Sequence, residues 1–441
     1  MTTIRKIAAW LDRWHWAWLI LATPFLLFPT PSRSFALLIV PALWLIALVA
    51  RRAPLPRTPF NLIVLLMFLM VLVSEWATYD LAFSLPKIAG MVLGVGIYFS
   101  ITRIGGTPRG WWLACGVLLL SGVGIAGLGL LGTNFGNKIG FLAPIIARLS
   151  PRVLGLPGAE TGFSPNELAG ALVWVLPLFI TLMLVVFRSR WRWARGVGIA
   201  LLIGAMLIAS VLVLAQSRGS YLGLISMIAL FILSIVPRRF RAVVLIVAGI
   251  GLVIVIGVIV FQPNLLVGLI GGTSASETTD ALAVIESANG RTEVWSRAIY
   301  GIQDFPFTGM GMNTFRKVVN VLYPFFLISP DADIAHAHNE FLQAALDLGI
   351  PGLIAFIALY AIAFWLLFQL WRGASASTDS GWVRAITLGL AGGLIAHLVY
   401  GMTDAVTLGA KPGFIFWMML GLIAALFKLV KDGRGVMERG R

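Results

Sequence analysis

Long apolar stretches separated by short polar segments dominate the hydropathy pattern of the chain. Stretches of roughly 15 to 22 residues, about the length that crosses the hydrocarbon core of a bilayer as a helix, recur along it. They lie at 16–29, 34–50, 59–74, 84–101, 111–131, 167–187, 195–215, 219–236, 242–262, 350–371, 383–401 and 412–430. The pattern predicts an all-α polytopic membrane protein with about twelve transmembrane helices.

Composition supports the same class. Hydrophobic residues make up 59% of the 441 residues, charged residues 12%, and the mean hydropathy is +0.95, which excludes an ordinary soluble domain. The single cysteine, Cys115, lies in an apolar stretch, so no intrachain disulfide is expected. The basic N-terminus precedes an apolar stretch without a small-residue cleavage site, which favours a first helix over a removed signal.

Lys and Arg residues orient the predicted bundle because they collect in cytoplasmic loops. With the N-terminus inside, 22 of the 33 basic residues fall on the cytoplasmic side, so the sequence predicts that both termini are cytoplasmic. The net charge of +15 then reflects topology and contact with anionic membrane lipids. Nucleic-acid binding is not expected, since the basic residues are dispersed at helix ends and no reader motif accompanies them.

Two outer loops are too long to be simple turns, at 132–166 and 263–349. They divide the chain into helices one to nine (1–262), an outer loop domain (263–349), and the last three helices with a cytoplasmic tail (350–441). The outer loop domain carries nine of the 18 acidic residues. We expect it to contain the working part of the protein.

The pattern within 263–349 predicts several elements. A polar stretch at 271–280 is a candidate mobile lid, and a helix is expected from about 290 to 303. The Gly309–Met312 segment could let the backbone approach a ligand, although a structural turn is the better interpretation. A helix with an apolar face follows His338 and should end near Gly349.

Four residues near the outer ends of the helices are candidates for chemistry, since charged groups at membrane depth are costly without a partner. His338 precedes a helix N-terminus, which favours a neutral imidazole able to accept a proton. Arg218 and Arg291 carry planar guanidinium groups suited to phosphate oxygens, and Lys87 lies among small residues that permit close approach. Capping by the histidine and snorkelling by the cations are the alternative interpretations.

The remaining histidines suggest little by themselves. His336 and His338 with nearby Asp331 and Asp333 could form a metal site, but an H-x-H pair without further ligands at defined spacing is weak evidence, and no metal is expected. His15 and His397 are assigned to packing.

Several motifs resemble the shared region of bacterial O-antigen ligases and polymerases. They are AQSRGSYLGL (215–224), NGRTEVW (289–295), PFTGMGMNTF (306–315) and HAHNEFLQAALDLGIPGL (336–353). The segment GFSPNELAG (162–170) resembles an earlier motif of this superfamily, with Ser-Pro-Asn where Asn-Pro-Asn is common. The resemblance spans about 160 to 353 and agrees with the twelve-helix layout.

The resemblance implies a membrane glycosyltransferase of the GT-C type in the bacterial inner membrane, with its active site facing the periplasm. Such an enzyme takes a glycan from undecaprenyl pyrophosphate, and the ligase passes it to the lipid A-core oligosaccharide without a metal or other cofactor. The essential arginines and histidine of the family fall on Arg218, Arg291 and His338. Candidate supporting residues are Asn339, Gln216, Asn166 and His336.

The chemistry of the residues agrees with this reading. A glycosyl pyrophosphate already has a good leaving group, so an enzyme must stabilise the departing charge and remove a proton from the attacking hydroxyl. Arg218 and Arg291, with help from Lys87, suit the first task, and His338 suits the second as the base of a single inverting displacement. The Asp331, Asp333 and Glu340 carboxyls could assist.

Three other functions stay open at this point. An O-antigen polymerase or a protein O-oligosaccharyltransferase would use the same donor with another acceptor. A lipid or solute transporter would also have twelve helices, but no repeat of six helices is visible, and the candidate residues gather at one face of the membrane.

Overall fold

The computed structural model describes residues 3–50, 56–136, 139, 142–149, 151–155, 159, 162–190, 192–237, 239–241, 288–374, 379–406 and 408–437. Within these ranges the regular elements are helices, and one isolated bridge joins Thr133 to Phe163. The prediction of an all-α chain is confirmed.

Residues 288–339 are called the outer segment below. The helices before it are α1 (Thr3–Arg13), α2 (His15–Leu27), α3 (Ile39–Val49), α4 (Asn61–Ala77), α5 (Leu81–Ile104), α6 (Pro108–Gly132), α7 (Ala143–Ile146), α8 (Pro165–Val173), α9 (Leu176–Arg188), α10 (Ala194–Ala215) and α11 (Arg218–Ile235). Those from the outer segment onward are α12 (Ala288–Asp304), α13 (Phe315–Leu322), α14 (Glu340–Gly373), α15 (Ser380–Tyr400) and α16 (Phe414–Lys431). Short 3₁₀ turns at Pro31–Leu38 and Lys411–Gly413 lead into α3 and α16.

Among the described residues, nine helical segments are long and apolar enough to cross a membrane. They are Pro31–Val49, Leu81–Ile104, Pro108–Gly132, Pro165–Arg188, Ala194–Ala215, Arg218–Ile235, Glu340–Gly373, Ser380–Tyr400 and Lys411–Lys431. The shorter apolar helices α2 and α4 coincide with two further predicted spans. The chain is a multi-pass membrane protein; the predicted span at 242–262 and the predicted lid at 271–280 lie outside the described residues.

One end of the bundle, called the site end below, is where α4, α6, α10 and α15 finish and α5, α11, α14 and α16 begin. Side chains tie these ends to the outer segment. The hydroxyl of Thr78, after α4, contacts that of Thr314 at 2.9 Å, and the amide of Asn313 donates to the Phe83 carbonyl in α5. The site end is therefore a single packed layer and not a set of separate loops.

The opposite end collects the basic clusters that the charge count assigned to one side. Arg103 at the end of α5 forms a 2.7 Å ion pair with buried Asp12 of α1. Arg434 donates to the Gly106 carbonyl, and the Trp112 indole donates to the Val436 carbonyl. These contacts join the predicted cytoplasmic ends to one another, and the orientation of the bundle in the membrane stays a prediction.

Helix α14 contains a break that separates a short outer part from its membrane part. Gly349 has φ +70° and ψ 178°, which is not helical. The freed groups bind the preceding loop: the Met310 N–H donates to the Leu346 carbonyl, and the Ile350 N–H donates to the Pro306 carbonyl, each at 2.7 Å. The expected apolar helix after His338 is present, and it changes direction where its end was predicted. The Gly309–Met312 segment forms the structural turn that packs on this break.

The break requires glycine. A Cβ at Gly349 would lie 2.5 Å from the Phe307 carbonyl oxygen, in a backbone conformation that L-residues disfavour. We predict that Gly349→Ala lowers the free energy of unfolding by about 1–3 kcal/mol, measured as a lower apparent melting temperature of the purified protein. Gly373→Ala in the same helix is the control, since nothing lies within 4 Å of that position. Equal melting of the two variants would contradict this account.

Candidate active site

The carboxylate of Asp404 lies at the centre of the site end, in the loop 401–406 after α15. Its Oδ1 atom is 3.2 Å from Nδ1 of His338 and 3.9 Å from Nε2 of His336. It also accepts the N–H of Ala405 at 2.9 Å, while Oδ2 lies 4.0 Å from a guanidinium nitrogen of Arg291. Asp404 is 3% exposed, so these donors replace the water that a buried carboxylate has lost.

His338 is held in place by its neighbours on both sides. Its φ is +47°, a left-handed conformation that costs a non-glycine residue free energy and is found mainly at functional sites. The His338 N–H donates to Nδ1 of His336, and the Trp295 indole donates to the His338 carbonyl. Asn339 caps α14 through the N–H groups of Phe341 and Leu342, and its amide donates to the Met402 carbonyl. The hydrogen bonds of the His338 backbone, in addition to the contact of its ring with Asp404, therefore fix the orientation of the imidazole.

These contacts determine which nitrogens carry protons. Burial raises the pKa of the Asp404 carboxyl, but the His338 hydrogen bond and the nearby His336 and Arg291 together bring it below its usual value. Burial, followed by the neighbouring His338, lowers the pKa of His336 to about 3. At neutral pH Asp404 is ionised and His336 is neutral. An ionised carboxylate accepts from His338 Nδ1–H, which leaves Nε2 of His338 as the ring nitrogen able to accept a proton.

Arg291 lies beside the same loop, near the start of α12. Its Nη1 atom donates to the Thr403 carbonyl at 2.8 Å, and its buried Nε–H has no hydrogen-bond partner. An unpaired buried donor on a guanidinium is costly unless a ligand accepts from it. The Arg291 side chain as a whole is 20% exposed, although its Nε atom is buried.

Arg218 is the first residue of α11 and is exposed. The next residue, Gly219, packs so closely on Thr403 that a Cβ there would lie 2.5 Å from the Thr403 hydroxyl oxygen. Arg218 and Arg291 therefore flank the same residue of the loop 401–406. No hydrogen bond or ion pair joins Arg218 to another residue within the described ranges. Its guanidinium is available to a ligand.

Lys87 is buried and has an internal partner. Its ammonium donates to Oδ2 of Asp347 in α14 at 3.3 Å, and Oδ1 of Asp347 accepts from Gln343 and from the Asn313 N–H. The Lys87 carbonyl packs on Gly409 in the loop before α16. The contacts of Lys87 hold the outer part of α14 on α5 and leave its charge next to the site.

A second histidine–carboxylate pair lies beneath the first. Glu340, the first residue of α14, is 3.3 Å from Nδ1 of His397 in α15, and His397 is fully buried against the stacked Trp174 indole. The Glu340 N–H donates to the Gly401 carbonyl at 2.7 Å. This pair joins the N-terminus of α14 to the loop that carries Asp404. His397 packs in the core, as the sequence indicated, and the Glu340 carboxyl group is paired with it.

The contacts that the structure gives for the other candidate residues are made within the protein. Gln216 is buried, has φ +49°, and donates to the carbonyls of Gly136 and Leu214. Asn166 accepts through its backbone carbonyl from the Tyr400 hydroxyl. Of the outer carboxylates, exposed Asp333 forms an ion pair with Arg316. The acid beside the histidine pair is Asp404 and not Asp331 or Asp333.

His336, His338 and Asp404 could in principle hold a metal ion, because their ligand atoms lie within 4.8 Å of one another. The hydrogen bonds oppose this use. Nδ1 of His336 already accepts the His338 N–H, so the neutral ring carries its proton on Nε2, the atom that faces Asp404. A metal-bound imidazole normally donates from its other nitrogen, and this ring cannot do so.

Comparison with protein families supplies the assignment. Residues 203–357 match the family model described as O-Antigen ligase. The match supports assignment to the O-antigen ligase superfamily. The matched region runs from α10 into the membrane part of α14 and includes Arg218, Arg291 and His338, while Lys87 and Asp404 lie outside it. No curated protein sequence matches the chain.

The match to this family indicates ligase- or polymerase-type function in a membrane glycosyltransferase. Of the residues near Asp404, sequence reasoning selected Arg291 and His338 as candidates, together with Arg218 at the start of α11, but it missed Asp404 itself. The available signal was its position: it is an acidic residue in the short loop between the last two predicted spans, on the side where the other candidates lie. Its proximity to His338 could not be read from the sequence because the two residues are 66 positions apart.

The low pKa of His336 makes the stability of the protein depend on pH. Below about pH 6.5 the unfolded imidazole binds a proton, whereas the folded one stays neutral, so stability is lost as the pH falls. We predict that the apparent melting temperature drops less between about pH 7 and pH 5 in His336→Gln than in the wild type. The glutamine carbonyl can still accept the His338 N–H. The same drop in both proteins would contradict the assignment.

Proposed function

We propose that this protein is an O-antigen ligase of the bacterial inner membrane. It transfers a glycan from undecaprenyl pyrophosphate to a hydroxyl of the lipid A-core oligosaccharide at the periplasmic face, and so completes lipopolysaccharide. The family match supports the ligase or polymerase type of reaction. The residues around Asp404 support a metal-independent, inverting displacement.

One observation carries the mechanism: an ionised carboxylate orients an imidazole beside unpaired arginine donors. Nδ1 of His338 is 3.2 Å from Asp404, and within the described part of the chain nothing is hydrogen-bonded to its Nε2. Arg291 donates to the carbonyl of the adjacent Thr403, and Gly219, the residue after exposed Arg218, packs on the same Thr403. These contacts support a site in which His338 accepts the proton and Arg218 and Arg291 bind the pyrophosphate.

The reaction follows from these roles. The acceptor hydroxyl attacks the anomeric carbon of the donor and passes its proton to Nε2 of His338. The bond from that carbon to the phosphate oxygen breaks, and its electron pair leaves on the pyrophosphate. Arg218 and Arg291 stabilise the departing charge through hydrogen bonds in a partly desolvated site. Asp404 stabilises the imidazolium that forms, and Lys87 adds positive potential from its pair with Asp347.

Loss of the base should remove most of the activity. We predict that His338→Ala lowers the turnover number by about 10²–10⁴-fold, with a much smaller change in the Michaelis constant for the donor. The measurement uses purified protein in lipid nanodiscs with lipid-linked glycan and lipid A-core, and the product is separated by gel electrophoresis. His15→Ala, at the opposite end of the bundle, is the matched control. Full activity of His338→Ala would exclude the mechanism.

The same assay tests the acceptor. Lipid A-core, a second lipid-linked glycan and an acceptor protein are supplied separately, and product with lipid A-core alone supports the ligase. Product only with the second lipid-linked glycan would identify a polymerase, and product only with protein would identify a protein O-oligosaccharyltransferase. Chelation of divalent ions should leave the rate unchanged; loss on chelation with recovery on addition of a divalent ion would overturn metal independence.

Asp404 should act through the histidine. We predict that Asp404→Asn lowers the turnover number on the order of 10²-fold and moves the acid limb of the pH–rate profile to lower pH, because the neutral amide no longer favours the protonated imidazole. The donor Michaelis constant should change little. Asp331→Asn, an exposed acid of the outer segment, is the control. A loss of activity with an unmoved pH profile would show that Asp404 only maintains the fold.

A further inference from the structure

The outer segment 288–339 exposes five large apolar side chains, together called the apolar edge below. Phe326 is 89% exposed, Val321 78% and Phe307 74%, and Leu327 and Leu322 are about half exposed. The core of the segment, around Phe315 and Val319, is formed by other residues. These five side chains are thus not part of that buried core, although a single exposed apolar residue would need no explanation.

The backbone beneath the apolar edge is held firmly. The buried carboxylate of Glu293 accepts the N–H groups of Phe326 and Leu327, at 2.6 and 3.0 Å. Arg297 forms an ion pair with Glu293 and donates to the Pro324 carbonyl. Two buried charged residues thus hold a turn whose Phe326 and Leu327 side chains are largely exposed, with the Phe326 ring 5.2 Å from the Arg297 guanidinium. Such a turn displays these side chains in a defined position.

The apolar edge lies where the chain enters the membrane. Phe307 follows Pro306, whose carbonyl accepts the N–H of Ile350 at the start of the membrane part of α14. Ile350 and Ile354 of that helix are exposed, 40% and 58%, on the surface that lipid covers. Exposed Phe307 therefore lies next to the start of the membrane part of α14.

Helix α13 is placed in the same way over the start of α5. The Lys317 ammonium lies 4.8 Å from the centre of the Phe83 ring, and Val321 and Leu322 lie about one turn further along the helix. Trp76, in the last turn of α4, and Tyr79, between α4 and α5, are 84% and 74% exposed at this end. Tryptophan and tyrosine at the end of a span are typical of the headgroup region, and a lysine beside them suits anionic lipid phosphates.

We propose that the apolar edge inserts into the interfacial region of the adjacent lipid leaflet and anchors the outer segment at a defined depth. The occupant of this surface is bilayer lipid, because Phe307 adjoins the start of the membrane part of α14 and Lys317, over the start of α5, supplies a basic residue suited to the headgroup region. Helix α12 links the apolar edge to the candidate active site, because Glu293 and Arg297 hold the edge and Arg291 lies near the start of the same helix. The depth of Arg291 relative to a lipid-linked donor follows from the anchor, and only this consequence rests on the proposed function.

Site-directed spin labelling tests the anchor directly. Cys115 is buried and is the one cysteine of the chain, so Cys115→Ala provides a background for labels introduced by Phe326→Cys and Val321→Cys. The purified full-length variants in phospholipid nanodiscs are compared for collision with oxygen, which concentrates in lipid, and with a water-soluble nickel chelate. Ile354→Cys serves as the lipid reference, and Asp331→Cys, exposed in the same outer segment, serves as the water reference.

We expect the ratio of oxygen to nickel collisions at 321 and 326 to be several-fold higher than at 331 and to approach the ratio at 354. Ratios at both positions equal to that at 331 would overturn the proposal, since the purified sample offers lipid as the partner. Both native side chains are exposed, so the cysteine variants should fold, which is checked by a melting temperature equal to that of the Cys115→Ala background. The experiment does not measure glycosyl transfer, so its result does not depend on whether the proposed function is correct.

Discussion

A buried carboxylate must be matched by donors or by positive charge, and at the site end of this protein that requirement falls on Asp404. Removal of one partner from such a group typically costs about 3–5 kcal/mol, because the remaining charge is left uncompensated. The groups that satisfy Asp404 come from two other parts of the chain: Arg291 from α12, and His336 and His338 from the segment before α14. The carboxylate therefore assembles the site as well as orienting its histidine.

The bilayer explains why the assembly occurs in loops. Membrane helices must satisfy their own backbone groups, so irregular backbone is confined to their ends or to places where protein covers it. The positive φ values of Gln216, Asn313 and His338 all lie at the site end. The rigid spans bring these strained positions together, and buried pairs such as Lys87–Asp347 and Glu340–His397 hold the outer segment on them.

Much of the fold could be predicted from the sequence because one physical rule governs it. Apolar length alone located the spans that the structure describes, and the glycine and proline near 349 located the break in α14. Arg218, Arg291 and His338 could be selected as candidate site residues because of their residue types at helix ends and because of the motif resemblance. Asp404 could not be found in this way. A contact 66 residues apart in the chain depends on how α14 and α15 pack, and no local pattern encodes that packing.

The role of Lys87 shows the same limit from the other side. A lysine near a membrane surface, among small residues, suggests phosphate binding, but the small residues also allow α5 to approach the loop before α16, and the charge is taken up by Asp347. Residue type predicted the position and sign of the charge. The partner depended on the fold.

Adjacent residues of one loop hold the two halves of the proposed chemistry. The Thr403 carbonyl binds Arg291, and the Asp404 carboxylate binds His338. The spacing between the leaving-group side and the base side is therefore set by a single stretch of backbone, before any substrate arrives. Electrostatic stabilisation is effective when donors need no reorganisation during the reaction, and proton transfer requires a base already within hydrogen-bonding reach. A backbone that couples both conditions explains why this short loop, which has no recognisable motif, is packed against α11, α12, α14 and α15 at once.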